Sequence, residues 1–185
     1  MVEHHADIRP SDGPLFRLEG PLDLKVGIVA SQWHRTVVDG LLGGTLRALR
    51  EVGIDDPPVV RVPGTFEIPA VAAAFVNSGY DAVVALGVVI QGETPHFGYV
   101  CDAVTMGLTR ISVQTGVPIG FGVLPCTTRE QAYQRSGLSG AEWDKGYDAA
   151  QAALVGALAI RRIRSGNIAD DSFLVGAATS NLAEL

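Results

Sequence analysis

The sequence predicts an α/β domain in which a parallel sheet is covered by helices on both faces. Short apolar runs rich in β-branched residues alternate along the chain with longer segments whose apolar residues recur at helical spacing. The run Ala82–Ile90 is apolar on both faces, which is typical of a buried central strand in a parallel sheet. Alternation of this kind implies right-handed βαβ units and a three-layer α/β/α sandwich.

The first half of the chain is predicted to form two strand–helix pairs. Lys25–Ala30 is a short apolar run with β-branched residues, which indicates a strand. Val38–Val52 places its apolar residues on one helical face, and Gly53 is suited to end that helix. Pro58–Val62 predicts the second strand, and the Ala- and Val-rich segment Ile68–Asn77 predicts the second helix.

The second half continues this alternation after the central strand. Tyr99–Thr115 has the spacing of a helix, and Val117–Leu124 predicts the last strand. Arg129–Ser136 and the long Ala-rich segment Lys145–Ile163 predict two further helices. We expect one domain over residues 23–164, a tail or edge segment over residues 1–22, and a C-terminal extension over residues 165–185.

Composition argues against several classes of protein. With 47% hydrophobic and 18% charged residues, the bulk of the chain is unlike a disordered protein. A net charge of -6 without a block of Lys or Arg disfavours nucleic-acid binding, and no apolar run approaches the roughly 18 residues of a membrane span. Cys101 and Cys126 form neither a metal-binding spacing nor a disulfide framework. Together with a polar N-terminus, these features predict a cytoplasmic protein that binds neither nucleic acid nor membranes.

Ligands of open α/β sheets bind beyond the carboxyl ends of the strands, so the residues after each predicted strand are site candidates. Trp33 follows the first strand and is either a core residue or a platform for a planar ring. Glu67 lies at a helix start after the second strand, where a carboxylate either caps the helix or contacts a ligand. Arg135 is placed on the helix after the last strand, where a single Arg is usually a solvated surface residue.

The segment after the central strand combines a polar turn with a histidine. Gln91–Thr94 leads into a helix and exposes backbone N–H groups suited to an anion, but it lacks the GxxxxGK[ST] pattern of nucleotide-binding loops. His96 lies at the helix entry, where an imidazole can transfer protons near neutral pH. A purely structural role for this histidine is the alternative.

Six segments occur together in the order and spacing of a known enzyme family. They are VGIVASQWH, GTFEIPA, GVVIQGETPHFGYVCDAVTMGL, TGVPIGFGVL, EQAYQRSG and DKG, and they extend from about Lys25 to about Arg162. The block GxxIxGxTxHF followed by GVPxxFGVL is highly specific. This set of motifs resembles lumazine synthase, also called 6,7-dimethyl-8-ribityllumazine synthase.

The resemblance implies a flavodoxin-like core with a four-stranded parallel sheet, assembled as pentamers or as larger shells of pentamers. It implies a reaction that joins 5-amino-6-(D-ribitylamino)uracil to 3,4-dihydroxy-2-butanone 4-phosphate and releases phosphate and water. The product is the lumazine precursor of riboflavin, which indicates a functional link to riboflavin synthase. No metal and no organic cofactor are implied.

The resemblance also assigns residues to the two substrates. Trp33 occupies the aromatic position that stacks on the pyrimidine, Glu67 accepts hydrogen bonds from hydroxyl groups, and His96 gives and takes protons. The other residues implied for the uracil substrate are Thr65, Phe66, Val88, Val89 and Ile90. The residues implied for the phosphate or its surroundings are Glu93, Thr94, Phe121, Arg135 and Lys145, of which Phe121 and Arg135 act in the site of the adjacent subunit.

Some positions depart from the pattern of the family. Gly98 replaces a common Asp, which we expect to loosen the helix start, and Cys126 lies in a stretch that is commonly TTDT-like. His34 and Thr65 stand where Asn and Ala are common, and both border the expected pocket.

Two alternative functions therefore stay open. One is a non-catalytic member that binds lumazine or riboflavin, although the pairing of His96 with Arg135 argues against it. The other is a paralogue that condenses a related diamine.

The turn between Arg135 and Lys145 bears on the assembly. It reads SGLSGAEWD, and the corresponding turn is typically shorter in relatives that form shells. We expect its length, the bulk of Trp143 and its acidic residues to obstruct contacts between pentamers. The sequence therefore predicts a homopentamer or a pair of pentamers, and not a shell of about 60 subunits.

Overall fold

The middle layer of the molecule is a four-stranded parallel sheet. The computed structural model describes residue 18 and residues 20–167. Within them the strands pair in the order β2-β1-β3-β4. Their bounds are β1 (Val26–Ser31), β2 (Val59–Val62), β3 (Ala82–Ile90) and β4 (Ile119–Cys126). This arrangement confirms the predicted α/β sandwich with a parallel sheet and β3 at its centre.

Helices cover both faces of the sheet. Their bounds are α1 (Arg35–Glu51), α2 (Ile68–Asn77), α3 (His96–Thr115), α4 (Arg129–Tyr133) and α5 (Lys145–Ser165), and a 3₁₀ turn at Thr65–Glu67 precedes α2. Side chains of α1, α4 and α5 pack on one face of the sheet, and side chains of α2 and α3 pack on the other. All the predicted strands and helices are therefore present.

The two central strands are buried on both faces, as their uninterrupted apolar sequences require. In β1, Ile28 faces α1 and α5 while Val29 faces α2 and α3. In β3, Leu86 faces α1 and α5 while Ala85 faces α2 and α3. These strands are rigid supports, so residues at their carboxyl ends are held in defined positions.

The predicted ends of the last strand and of the helix after it are wrong, and both matter for the site. The last strand continues through Pro125 and Cys126, which pair with Val89 and Ile90 of β3. A proline is tolerated there because β4 is an edge strand. The helix α4 ends at Tyr133, so Arg135 lies in the following turn and not on a helix. That turn passes through Gly137, whose φ of 72° belongs to the left-handed region and ends the helical path.

The segment before β1 packs partly on the domain. Leu18 and Leu24 are buried in the core, and the backbone N–H of Leu22 donates to the carbonyl of Val52 at 2.8 Å. The domain limits at residues 23 and 164 stay a prediction, and the C-terminal extension from residue 168 onward lies outside the described residues. Among the described helices, none is long and apolar enough to cross a membrane.

Candidate active site

A cleft of about 660 Å³ opens at the carboxyl ends of β1, β2 and β3. This is the edge where an open parallel sheet binds ligands. Its lining consists of residues that follow β1 and β2, the last residues of β3, and the first turns of α3. They are Trp33, His34, Pro63, Gly64, Thr65, Phe66, Glu67, Val88, Val89, Ile90, His96 and Val100.

Two exposed aromatic rings dominate the entrance of the cleft. Trp33 is 68% exposed and Phe66 is 61% exposed, although both are large apolar side chains. The core alternative for Trp33 is therefore wrong. The turn that carries Trp33 is held in place by its backbone N–H, which donates to the carbonyl of Pro63 at 3.3 Å. Open aromatic faces on a fixed backbone are suited to stacking against a planar ligand.

Glu67 serves the local fold and the cleft at the same time. Its Oε2 accepts a hydrogen bond of 2.9 Å from the backbone N–H of Gly64, which closes the 3₁₀ turn. The side chain nevertheless remains exposed and lines the cleft. A carboxylate has about four acceptor positions, so one such bond leaves capacity for ligand hydroxyl groups.

The floor of the cleft is formed where Thr65 rests against the backbone of β3. A Cβ atom on Gly87 would overlap the Thr65 methyl group and would lie 3.1 Å from Ile68 Cδ1. Only glycine allows this close approach, so Gly87 sets the depth of the floor. The Ser31 hydroxyl lies beside it, fully buried and without a hydrogen-bond partner among the described residues.

His96 is the first residue of α3 and lies exposed at the edge of the cleft. It lines the same cleft as the two aromatic rings and the last residues of β3. Glu93 and Thr94 lie in the exposed segment just before it and do not line the cleft of their own chain. His96 lines the cleft whereas Glu93 and Thr94 do not, and both the proton-transfer hypothesis and the phosphate hypothesis for the turn stay predictions.

His34 contributes more to this region than its sequence indicated. It is the one non-glycine residue in the described part of the chain with a positive φ, 56°. It lines the main cleft and also an adjoining cavity of about 210 Å³ near Arg129. Burial lowers the pKa of His34 below its usual range, and the positive charge of Arg129 lowers that pKa further. Both effects favour the neutral form of the imidazole.

The remaining predicted residues lie away from this cleft. Phe121 is 45% exposed on the edge strand β4. Arg135 lies in the turn after α4, and Lys145 begins α5 with its Nζ atom 2.8 Å from Asp148 Oδ2. None of the three lines the cleft of its own chain. Conversely, three lining residues were not predicted from the sequence. Gly64 and Val100 lie within motifs already identified there, and Pro63 directly precedes one of them.

Comparison with known proteins places this cleft in a family. Residues 23–161 match the family described as 6,7-dimethyl-8-ribityllumazine synthase. A protein of that name from Streptomyces coelicolor is 57% identical over 76% of this chain and 88% of its own length. Another of that name, from an Arthrobacter species, is 58% identical over 75% of this chain and 86% of its own length. The chain belongs to the 6,7-dimethyl-8-ribityllumazine synthase family.

The part of the chain that matches lumazine synthase contains the whole cleft as well as Arg135 and Lys145. Lumazine synthases are transferases of riboflavin biosynthesis, so this chain is an enzyme of that pathway. Within the described residues, no group of three or more His, Cys, Asp or Glu side chains is placed to hold a metal ion.

Proposed function

We propose that this chain condenses 5-amino-6-(D-ribitylamino)uracil with 3,4-dihydroxy-2-butanone 4-phosphate to give 6,7-dimethyl-8-ribityllumazine. The observation that carries the proposal is the cleft at the carboxyl ends of the strands. It combines open aromatic faces, a carboxylate and a histidine, and it lies within the region that matches the family.

The uracil substrate fits the main cleft. The pyrimidine ring stacks on Trp33, and backbone groups of Val88–Ile90 at the end of β3 contact its polar edge. The ribityl hydroxyl groups donate to the Glu67 carboxylate, which has acceptor capacity left after it binds Gly64. Thr65 and Phe66 complete the walls of the same cleft.

His96 moves the protons that the reaction requires. Imine formation, phosphate elimination and ring closure each transfer a proton between heteroatoms, and a histidine can serve as both acid and base near neutral pH. Much of the remaining acceleration comes from holding the two substrates together in the correct orientation. This explains why only one residue in the cleft is assigned to proton transfer.

The four-carbon substrate is held through its phosphate by Glu93 and Thr94 at the start of α3, together with Arg135 of a neighbouring subunit. A guanidinium can donate two parallel hydrogen bonds to phosphate oxygens. Phe121 of the neighbour and Lys145 border the same position. Phe121 and Arg135 do not line the cleft of their own chain, as a contribution from the neighbouring subunit requires.

We further propose that the protein is a homopentamer or a pair of pentamers. Tyr99, Met106 and Val113 are each more than two-thirds exposed and recur every seven residues along α3, so they form one apolar stripe on the helix surface. Large apolar side chains exposed in a stripe mark a contact surface. Light scattering should give about 100 or 200 kDa for subunits of 19.4 kDa, and a particle in the megadalton range would contradict the proposal.

A turnover assay with both substrates tests the activity. We expect the absorbance of the conjugated lumazine product to appear together with one phosphate for each product molecule. Tight binding of the product without turnover would instead indicate a carrier or sensor. Turnover with a different diamine, but not with the ribitylaminouracil, would indicate a paralogue. The cytoplasmic location and the functional link to riboflavin synthase stay predictions of the sequence.

A further inference from the structure

Arg135 is held in an unusual environment for a cation in a surface turn. Its guanidinium carbon lies over the Trp143 ring, 4.9 Å from the ring centroid, in a cation–π contact. One guanidinium nitrogen donates to the carbonyl of Gln131 at 3.0 Å. Among the described residues no carboxylate pairs with Arg135, which leaves its other N–H groups available.

The backbone of the turn fixes Arg135 and Trp143 side by side. The N–H of Trp143 donates to the carbonyl of Gln134 at 2.9 Å, and the N–H of Lys145 donates to the carbonyl of Arg135 at 3.0 Å. These two bonds pair the start of the turn with its end on either side of the stacked residues. The proximity of the two side chains is therefore built into the path of the chain.

The end of the turn is also anchored to the rest of the domain. Oδ1 of Asp144 accepts a hydrogen bond of 2.9 Å from the N–H of Tyr147 and so caps α5. The same carboxylate forms an ion pair with Arg47 of α1. The backbone that carries Trp143 is thus attached to a rigid support beside the cap of α5.

We propose that Trp143 is a positioning residue that orients the Arg135 guanidinium for the phosphate of the four-carbon substrate. The indole lies on one side of the guanidinium, and the N–H donors that point away from the ring stay open to a ligand. An arginine side chain that is free in solvent loses rotamer freedom when it binds a phosphate. Contact with the indole already restricts the side chain, so less conformational entropy is lost when the phosphate binds. The inference rests on the proposed role of Arg135.

Two substitutions separate the stacking from the rest of the turn. Trp143→Phe keeps an aromatic face, whereas Trp143→Ala removes it. We expect Trp143→Ala to raise the KM for the phosphorylated substrate about three- to tenfold, and Trp143→Phe to raise it less than about twofold. The affinity for the ribitylaminouracil should stay unchanged in both variants, because that substrate does not contact Arg135. A similar loss for both substrates would overturn the proposal, as would equal effects of the two substitutions.

The double variant distinguishes this proposal from the role of Arg135 itself. When Arg135→Ala is already present, Trp143→Ala should change the KM for the phosphorylated substrate no further, since the indole then has nothing to orient. An additional loss in that background would refute the positioning role and leave the role of Arg135 intact. If Arg135→Ala alone leaves that KM unchanged, the phosphate role of Arg135 fails, and the positioning role fails with it.

Fluorescence gives a readout that does not depend on turnover. The chain contains two tryptophans, so in the Trp33→Phe variant all tryptophan emission comes from Trp143. Titration with inorganic phosphate should change this emission, and the change should disappear when Arg135→Ala is added. Emission that responds to phosphate in the absence of Arg135 would show that the indole senses something else. Circular dichroism and thermal unfolding of each variant check that the turn still folds.

Discussion

Replacing Gly87 with alanine should disturb the floor of the cleft without altering any side chain that lines it. The added Cβ would overlap the methyl group of Thr65 and would approach Ile68 Cδ1 to 3.1 Å and Ser31 Oγ to 3.3 Å. All three neighbours are buried, so none can simply turn into solvent. The turn Thr65–Glu67 must therefore move away from β3.

The size of the effect follows from two opposing contributions. Forcing a methyl group into a packed interior costs about 1–3 kcal/mol. Alanine also restricts the unfolded chain more than glycine does, which raises the free energy of unfolding by about 0.5–1 kcal/mol. The net loss in the free energy of unfolding should therefore lie between about 0 and 2.5 kcal/mol, and the severe overlap with Thr65 places it in the upper half of that range. Binding of the ribitylaminouracil should weaken as well, because the displaced turn carries Phe66 and Glu67.

Thr65→Ser provides a matched rescue, since it removes only the methyl group that the new Cβ would overlap. Alone it should cost about 0.8 kcal/mol for the lost apolar group. Combined with Gly87→Ala it should recover most of the damage, so the double variant should be close in stability to Thr65→Ser alone. Urea unfolding at one protein concentration, with m values compared, measures the three variants.

Two results would refute this reasoning. The first is additivity, in which the double variant loses the sum of both single losses, because the methyl contact would then not be the cause. The second is a loss of stability in Gly87→Ala with unchanged affinity for the ribitylaminouracil. That result would show that the position of the turn on β3 does not set the shape of the cleft.

Four further predictions concern the site and the start of α3. His96→Ala should fold normally and lose turnover by about 10²-fold, and unchanged turnover would exclude the acid–base role. Arg135→Ala should weaken binding of the phosphorylated substrate by about 1.5–3 kcal/mol while the affinity for the ribitylaminouracil stays the same, as equilibrium titrations of each substrate would show. The pKa of His34 is lower in the folded protein than in the unfolded chain, so the unfolded chain binds a proton at a pH where the folded protein does not. The free energy of unfolding should therefore fall as the pH drops below about 6.5. His34→Asn should make that decline shallower, and an identical pH profile for both proteins would contradict the assignment. Gly98→Ala should raise the free energy of unfolding by about 0.5–1 kcal/mol, since it lies inside α3 and no atom stands within 4 Å of the added Cβ.

The sequence predicted the layers of the fold because burial on both faces of a strand leaves a direct trace in it. Ala82–Ile90 is apolar throughout, and its observed bounds are those predicted. The end of α4 left no such trace. The turn after α4 contains Gly137 in a left-handed conformation, and a backbone hydrogen bond runs from Trp143 to Gln134. That bond joins residues nine positions apart, which helical or strand periodicity does not indicate.

The cleft was predictable because most of its residues follow the carboxyl ends of the strands. Trp33, Glu67 and His96 follow successive strands, and parallel strands bring their carboxyl ends to one edge. Arg135 could be proposed as a phosphate ligand only from its motif, since a lone arginine after a short helix resembles any surface residue. Its stacking on Trp143 was not foreseen, because it arises from the closed path of the turn and not from helical or strand spacing.

Mixing two impaired variants, assayed at a concentration of the phosphorylated substrate far below the KM of Arg135→Ala, tests most directly whether the cleft of one subunit and Arg135 of the next form one active site. His96→Ala and Arg135→Ala subunits, coexpressed in equal amounts with different affinity tags, would assemble at random. Sites that join an intact His96 to an intact Arg135 across an interface should then arise at about one position in four. We predict that the mixture recovers about a quarter of the wild-type rate. A rate no higher than the mean of the two separate variants would contradict a site shared between subunits.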